Sequence, residues 1–184
     1  MTCHMHVIRL HGPWELEPLA HTRFLPDGST TVEPGELPPA RRTQVPADWA
    51  ESLGRDFRGR VRYTRRFGRP SSLETVDRVE LVVTRVDAFG AVELNGELLV
   101  QIPWGKLDAR VDITSQLQLR NVLCVEVELP HADPDCPPLL RPGRVDSAGG
   151  LIGEVRLEIF PSVNDGRSPT DNFVKGWGAG NQEN

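Results

Sequence analysis

The sequence predicts an all-β fold, an antiparallel β-sandwich, and three observations carry that expectation. Between Arg60 and Leu129 apolar residues recur at every second place, the period that puts one face of a strand in a core and the other in water. Asn95-Gly96 sits between two such runs, and this pair suits a two-residue hairpin turn that needs positive φ at both central positions. The chain holds 16 Pro and 17 Gly in 184 residues and few stretches of helical period, a balance that favours many turns between short strands.

Taken in order, residues 5–19 read as an opening strand pair, with Val7, Ile8 and Leu10 before Gly12-Pro13 and Trp14, Leu16 and Leu19 after it. From Leu25 to Gly54 the pattern fails, because closely spaced prolines deny ladder hydrogen bonds. That stretch reads as a long surface excursion with one helical turn near Asp48–Leu53. Regular strands follow: Val61–Phe67, Val79–Val83, Ala91–Leu94, Glu97–Val100, Val111–Thr114 and Val122–Leu129. In the second of two adjacent patterns, Val61, Tyr63 and Phe67 share one face while Arg62 and Arg66 take the other. Asp112 and Thr114, at a strand end, are placed to bond neighbouring backbone and stop the ladder. A second excursion spans Pro130–Gly150, and the last strand runs from Ile152 to Phe160. Residues 1–160 are expected to form one sandwich domain, and residues 161–184 a Gly-, Asn- and Ser-rich tail, disordered or docked through Trp177.

Composition excludes several classes. A net charge of −5 is unsuited to a phosphate backbone, so no nucleic-acid partner is expected. No run approaches the roughly 20 apolar residues that span a bilayer, and His4, His6, His11, Glu15 and Glu17 break any leader-like apolar stretch. A cytoplasmic location without membrane attachment is the resulting expectation. Cys3, Cys124 and Cys136 are odd in number and without paired spacing, which fits a reducing compartment. Cys124, mid-strand, reads as a small buried hydrophobe.

The elements in sequence resemble a known family. Gly12-x-Trp14, Val45-Pro46-x-x-Trp49, Gly59-x-x-x-Tyr63-x-Arg65-x-Phe67, Val92-x-Leu94-Asn95-Gly96, Val111-Asp112-Ile113-Thr114, Asn121-x-Leu123-x-Val125 and Gly149-Gly150-Leu151-x-Gly153-Glu154-Val155 together resemble the sugar-binding domain of glycoside hydrolase family 2. That resemblance implies a jelly roll of the galactose-binding-domain-like type. It also implies a module whose catalytic partner is a separate (β/α)₈ barrel. A barrel of that kind takes about 250 residues, whereas 24 residues follow Phe160. With no scaffold for an acid and base about 5–9.5 Å apart, no enzyme activity is expected. In the family, loops of this module reach the active site, and the corresponding loop here is Pro103–Ala109. Trp104 stands where some β-galactosidases carry an acidic residue.

Trp104, between Pro103 and Gly105, is the leading candidate for contact with a ligand, since an aromatic held on a turn suits stacking on the apolar face of a sugar ring. Lys106 and Asp108 would bond hydroxyls, and Trp49 and Asp87 would join the same rim if their loops lie at one end. Trp14, on a patterned strand, reads as core. His4, His6 and His11 lack the spacing of a metal motif. His131, Asp133, Asp135 and Cys136 offer ligands for a hard cation such as a structural calcium, yet lack the Asp-x-Asp-x-Asp-Gly order of a dedicated loop. No cofactor or metal is expected. Ser71-Ser72, Ser115 and Ser147 have no nearby His, and Gly149-Gly150 precedes a strand, so neither a nucleophile nor a phosphate loop is indicated. Two readings stay open: a non-catalytic carbohydrate-binding module, and an interaction module that packs on a partner protein or on itself through an exposed apolar face.

Overall fold

The computed structural model describes residues 5–71, 73, 77–106, 108–140, 144 and 147–161. Cys3, His4, Leu107 and Trp177 lie outside them. In chain order the elements are β1 (His6–Arg9), β2 (Trp14–Phe24), β3 (Thr30–Glu33), β4 (Arg41–Thr43), β5 (Ala47–Asp48), α1 (Ala50–Leu53), β6 (Gly59–Gly68), β7 (Arg78–Val83), β8 (Phe89–Leu94), β9 (Glu97–Ile102), β10 (Ala109–Asp112), β11 (Arg120–Leu129), β12 (His131–Ala132), β13 (Gly150–Leu151) and β14 (Val155–Phe160).

Two sheets carry the fold. The smaller has the order β1-β14-β7-β10, and the larger runs β12-β2-β6-β11-β8-β9, with β3 and β4 also paired to β2. Nearly every pairing is antiparallel, β12 with β2 being parallel. The alternating runs bury what the period predicts: Val61, Tyr63, Val92, Leu94, Leu123, Val125 and Val127 are each at most 1% exposed and join one apolar cluster with Leu81, Leu157 and Ile159 of the opposite sheet. Trp14 is fully buried, its indole N–H donating to the Leu10 carbonyl at 2.7 Å. An aromatic of this size removes 150–250 Å² from water, on the order of 4–6 kcal/mol as an upper estimate.

Asn95 and Gly96 take φ of 54° and 86°, the turn their identities predict. Asp112 accepts from both the amide (2.9 Å) and the hydroxyl (2.6 Å) of Thr114, and that hydroxyl oxygen accepts from the Val79 amide at 2.9 Å.

Four expectations are corrected. β1 and β2 do not pair with each other: β1 joins β14 in the small sheet and β2 joins β6 in the large one, so the chain changes layers at Gly12-Pro13. The 25–54 excursion is not free of ladders, since β3 and β4 flank β2 and β5 pairs with β13. The last strand starts at Val155 and not Ile152: the Glu154 amide donates to the Thr84 hydroxyl at 2.8 Å in place of a backbone carbonyl, while the Glu154 carbonyl accepts from the Thr84 amide at 2.9 Å and its hydroxyl at 3.2 Å. Cys124 is half-buried on the outer face, opposite Thr64 and Glu93, because Leu123 and Val125 occupy the inward positions.

The outer faces are ionic. On the small sheet the pairs run Arg9–Glu154 (3.2 Å), Glu154–Arg156 (3.4 Å), Arg156–Glu158 (2.8 Å), Glu158–Arg110 (2.5 Å), Arg110–Glu80 and Glu80–Arg78 (3.2 Å), with Arg78 lying over the Phe160 ring at 4.7 Å. Exposed pairs of this kind contribute about 0–1 kcal/mol each. Glu80 and Glu158 differ, since both are buried beneath the arginines.

Candidate functional site

The 103–108 connection leaves β9 of the large sheet and enters β10 of the small one. Its first four residues close a turn in which the Lys106 amide donates to the Pro103 carbonyl at 3.0 Å, with Gly105 at φ 83°. This is a type II geometry, and glycine is the residue that meets positive φ at the third position without strain. Trp104 occupies the second position and is 46% exposed. Lys106 and Asp108 are exposed as well. Asp108 accepts from the Arg85 amide at 2.9 Å, where Arg85 has a φ of 54°. It thus stabilises a left-handed residue at the exit of β7, a conformation that costs a non-glycine residue roughly 1 kcal/mol or more.

Trp49 and Asp87 are not on a rim. Trp49 is fully buried: its indole donates to the Phe57 carbonyl at 3.3 Å, its ring meets Phe57 edge-on with centroids 5.8 Å apart, and its ring atoms lie against Gly149 so closely that a Cβ there would stand 2.3 Å away. The loop that carries Trp49 folds inward, with the ring seated between Phe57 and Gly149. Asp87 is 2% exposed and accepts from Arg144 at 2.9 Å, while Arg144 also donates to the Ala148 carbonyl at 2.9 Å. Three of the five, Asp108, Asp87 and Trp49, are nevertheless linked through neighbouring backbone. Asp108 holds Arg85, Val86 bridges Leu151, the Asp87 amide donates to Gly150 at 3.3 Å, and the Trp49 amide donates to Gly149 at 2.9 Å. Trp104 and Lys106 are exposed on the turn that precedes Asp108, whereas Trp49 and Asp87 are interior.

Beside Pro103 lies a feature that sequence reasoning missed. A groove of about 720 Å³ crosses the outer face of the large sheet, walled by the 28–30 hairpin turn on one side and by Gln101, Ile102 and Pro103 on the other. Its floor is built from two cross-strand rows. Arg60, Glu128 and Phe89 face one another on β6, β11 and β8, and Glu126, Ala91 and Gln101 do so on β11, β8 and β9. Ala91 gives β8 a small side chain on this face. Phe89 is half-buried and rests on Phe24, with ring centroids 5.9 Å apart. The carboxylates are fixed: Glu126 accepts from Arg62 at 2.6 and 3.0 Å, and Glu128 from Arg60 at 3.3 and 3.4 Å. In sequence these residues read as a solvated strand face, because pairing Arg60 with Glu128 and Ala91 with Gln101 requires the strand order.

The proposed cation loop is differently occupied. Asp133 pairs with Arg23, and the Cys136 thiol lies 3.8 Å from the Phe24 carbonyl. Among the described residues no three His, Cys, Asp or Glu side chains converge as a metal site, and no helix is long and apolar enough to cross a membrane.

No protein-family model matches the sequence, and no curated protein does. Solved structures do share its architecture. The FMN-binding β-glucuronidase from Faecalibacterium prausnitzii L2-6 superposes with a TM-score of 0.62 at 23% identity over 87% of this chain and 23% of its own. A Bifidobacterium dentium β-glucuronidase complexed with coumarin-3-O-glucuronide gives 0.61 at 22% over 86% and 30%, and a putative β-galactosidase from Bacteroides fragilis gives 0.58 at 21% over 84% and 23%. The chain spans less than a third of the length of each of these proteins. At this level of identity the likeness establishes the fold, a jelly-roll β-sandwich shared with one segment of much longer glycosidases.

Proposed function

We propose that the chain is a non-catalytic carbohydrate-binding sandwich, related to the sugar-binding domain of glycoside hydrolase family 2, and that it holds a saccharide along the groove beside Trp104. The groove itself carries the reading. Its volume is within the range of small-molecule sites, and its floor alternates an aromatic plane, Phe89, with fixed hydrogen-bonding groups, Arg60, Gln101, Glu126 and Glu128. A sugar ring offers both chemistries, an apolar C–H face to stack and hydroxyls that donate to carboxylates and accept from guanidinium and amide N–H. An exposed Trp104 on a turn stiffened by Gly105 extends the aromatic surface past Pro103.

The binding role is favoured over hydrolysis by the placing of the carboxylates. Glu126 and Glu128 project from the same face of one strand and are each bound to an arginine. A glycosidase acid and base instead flank the scissile bond. The ion-pair row on the outer face of the small sheet weighs against an apolar docking face there. The test is titration calorimetry against a panel of neutral oligosaccharides. Binding by the native chain, a roughly tenfold weaker affinity in Trp104→Ala, and loss of binding with an unchanged melting temperature in Ala91→Trp, which fills the floor, are the expected results. If no saccharide binds at millimolar concentration, or if both variants bind as the native chain does, the assignment is wrong.

A further inference from the structure

A second depression, of about 430 Å³, lies toward the other end of β2 from its hairpin with β3, where β4, β2 and β6 meet. Four arginines line it, Arg41, Arg42, Arg65 and Arg66, together with Thr64 and a single acid, Glu15. Elsewhere on the strand faces arginines are matched with carboxylates, as Arg62 is with Glu126, Arg60 with Glu128 and Arg110 with Glu158. Here the matching stops. Among the described residues Arg41, Arg42 and Arg65 have no carboxylate within ion-pairing distance, and Arg66 reaches Glu15 only at 3.9 Å. In a chain with a net charge of −5, this corner holds a local excess of positive charge whose members repel one another.

Edge protection accounts for part of this, because charged residues on a short edge strand such as β4 discourage pairing with another chain. It does not account for Arg65. Arg65 pairs with Leu123, which is fully buried, so it takes the core-facing side of β6 that Val61 and Tyr63 also use. Its Nη1 donates to the Pro13 carbonyl at 2.7 Å, and its Nε is buried with no hydrogen-bond partner among the described residues. A guanidinium N–H withdrawn from water without a partner is costly. The bond to Pro13 leaves the Nε–Nη2 edge uncommitted, and that edge of the guanidinium is one that takes two oxygens of a single anion side by side.

We propose that this depression is an anion-binding site for a tetrahedral oxyanion, free or carried as an ester. A modest turn of the Arg65 side chain presents its Nε–Nη2 edge to two oxygens, while Arg41, Arg42 and Arg66 add positive charge around the depression. This site does not rest on the saccharide reading, being lined by different residues on a different part of the sheet.

Thermal melting of the full chain in sodium phosphate, against sodium chloride at matched ionic strength, reads the effect. At about ten times the dissociation constant, phosphate raises the midpoint by roughly 3–6 °C over chloride. The double variant Arg41→Gln/Arg42→Gln changes only exposed side chains of an edge strand; it melts with the native chain in chloride and loses the phosphate shift. Arg66→Gln reduces it. Glucose 6-phosphate, run beside glucose, separates the sources: a larger shift than with phosphate identifies an ester ligand, and an equal one identifies the anion alone. Equal midpoints in phosphate and chloride, or a phosphate shift that survives in the double variant, overturns the proposal.

Discussion

Trp104 and Trp49 show how the same residue type on a loop serves opposite ends. Both interrupt irregular segments, and sequence alone marks both as candidates for an exposed rim. Trp49 is fully buried, whereas Trp104 is nearly half exposed. What separates them is the partner. Gly149, a hundred residues away, has no side chain and so admits the Trp49 ring, a complementarity that no local pattern displays. Gly149→Ala is expected to cost about 1–3 kcal/mol in urea unfolding, since the new methyl group meets ring atoms held on all sides. Gly96→Ala makes a useful contrast. No atom stands near a Cβ at that position, and φ is 86°, so the loss there is the dihedral cost alone, about 1 kcal/mol. A Gly96→Ala loss as large as that of Gly149→Ala would show that crowding is not what the Gly149 site avoids.

At the scale of elements, β6, β8 and β11 were legible because each buries one face, and burial of one face is what writes a two-residue period into a sequence. β3, β4, β5 and β12 are short, and most of their residues are exposed or half-buried. With little to bury they carry no period, and the prolines that flank them, such as Pro34, Pro46 and Pro130, mask them further. The same logic explains why Glu158 escaped notice: it alternates correctly as an outward residue, yet Arg110 and Arg156 cover it. The Arg110 hydrogen bond, foremost, holds the Glu158 carboxyl below the usual range, and the Thr114 hydroxyl does the same for Asp112. A carboxyl depressed in the folded state binds its proton more readily in the unfolded chain. Its contribution to stability is therefore complete above the ordinary carboxylate range and is lost as the pH falls through the lower folded value. Denaturant midpoints measured from pH 7 downward should hold until about pH 4.5 and then decline. In Glu158→Gln the decline should be shallower; an identical slope would show that this carboxylate is not linked to acid unfolding.

For the whole molecule, the fold class followed from periodicity and turn chemistry, and the order of motifs pointed to the same sandwich that solved glycosidases share. The candidate sites were less legible. Trp104 was found from its place on a turn, but the groove beside it is assembled from strands more than sixty residues apart, as the pairing of Arg60 with Glu128 shows. The arginine corner likewise brings Arg41 and Arg42 of one strand to Arg65 and Arg66 of another across β2. Each arginine pair is ordinary in sequence, and only the topology reveals that their charges are pooled.

The pairing of β1 with β14 sets a constraint on synthesis. His6 lies opposite Ile159 and Arg9 opposite Arg156, so β1 has no neighbour in its sheet until β14, about 150 residues further along the chain, has been made. Long-range closures of this kind slow folding. Until β14 is in place β7 also lacks one of its two flanking strands, and an uncovered strand edge of that kind is open to pairing with another chain.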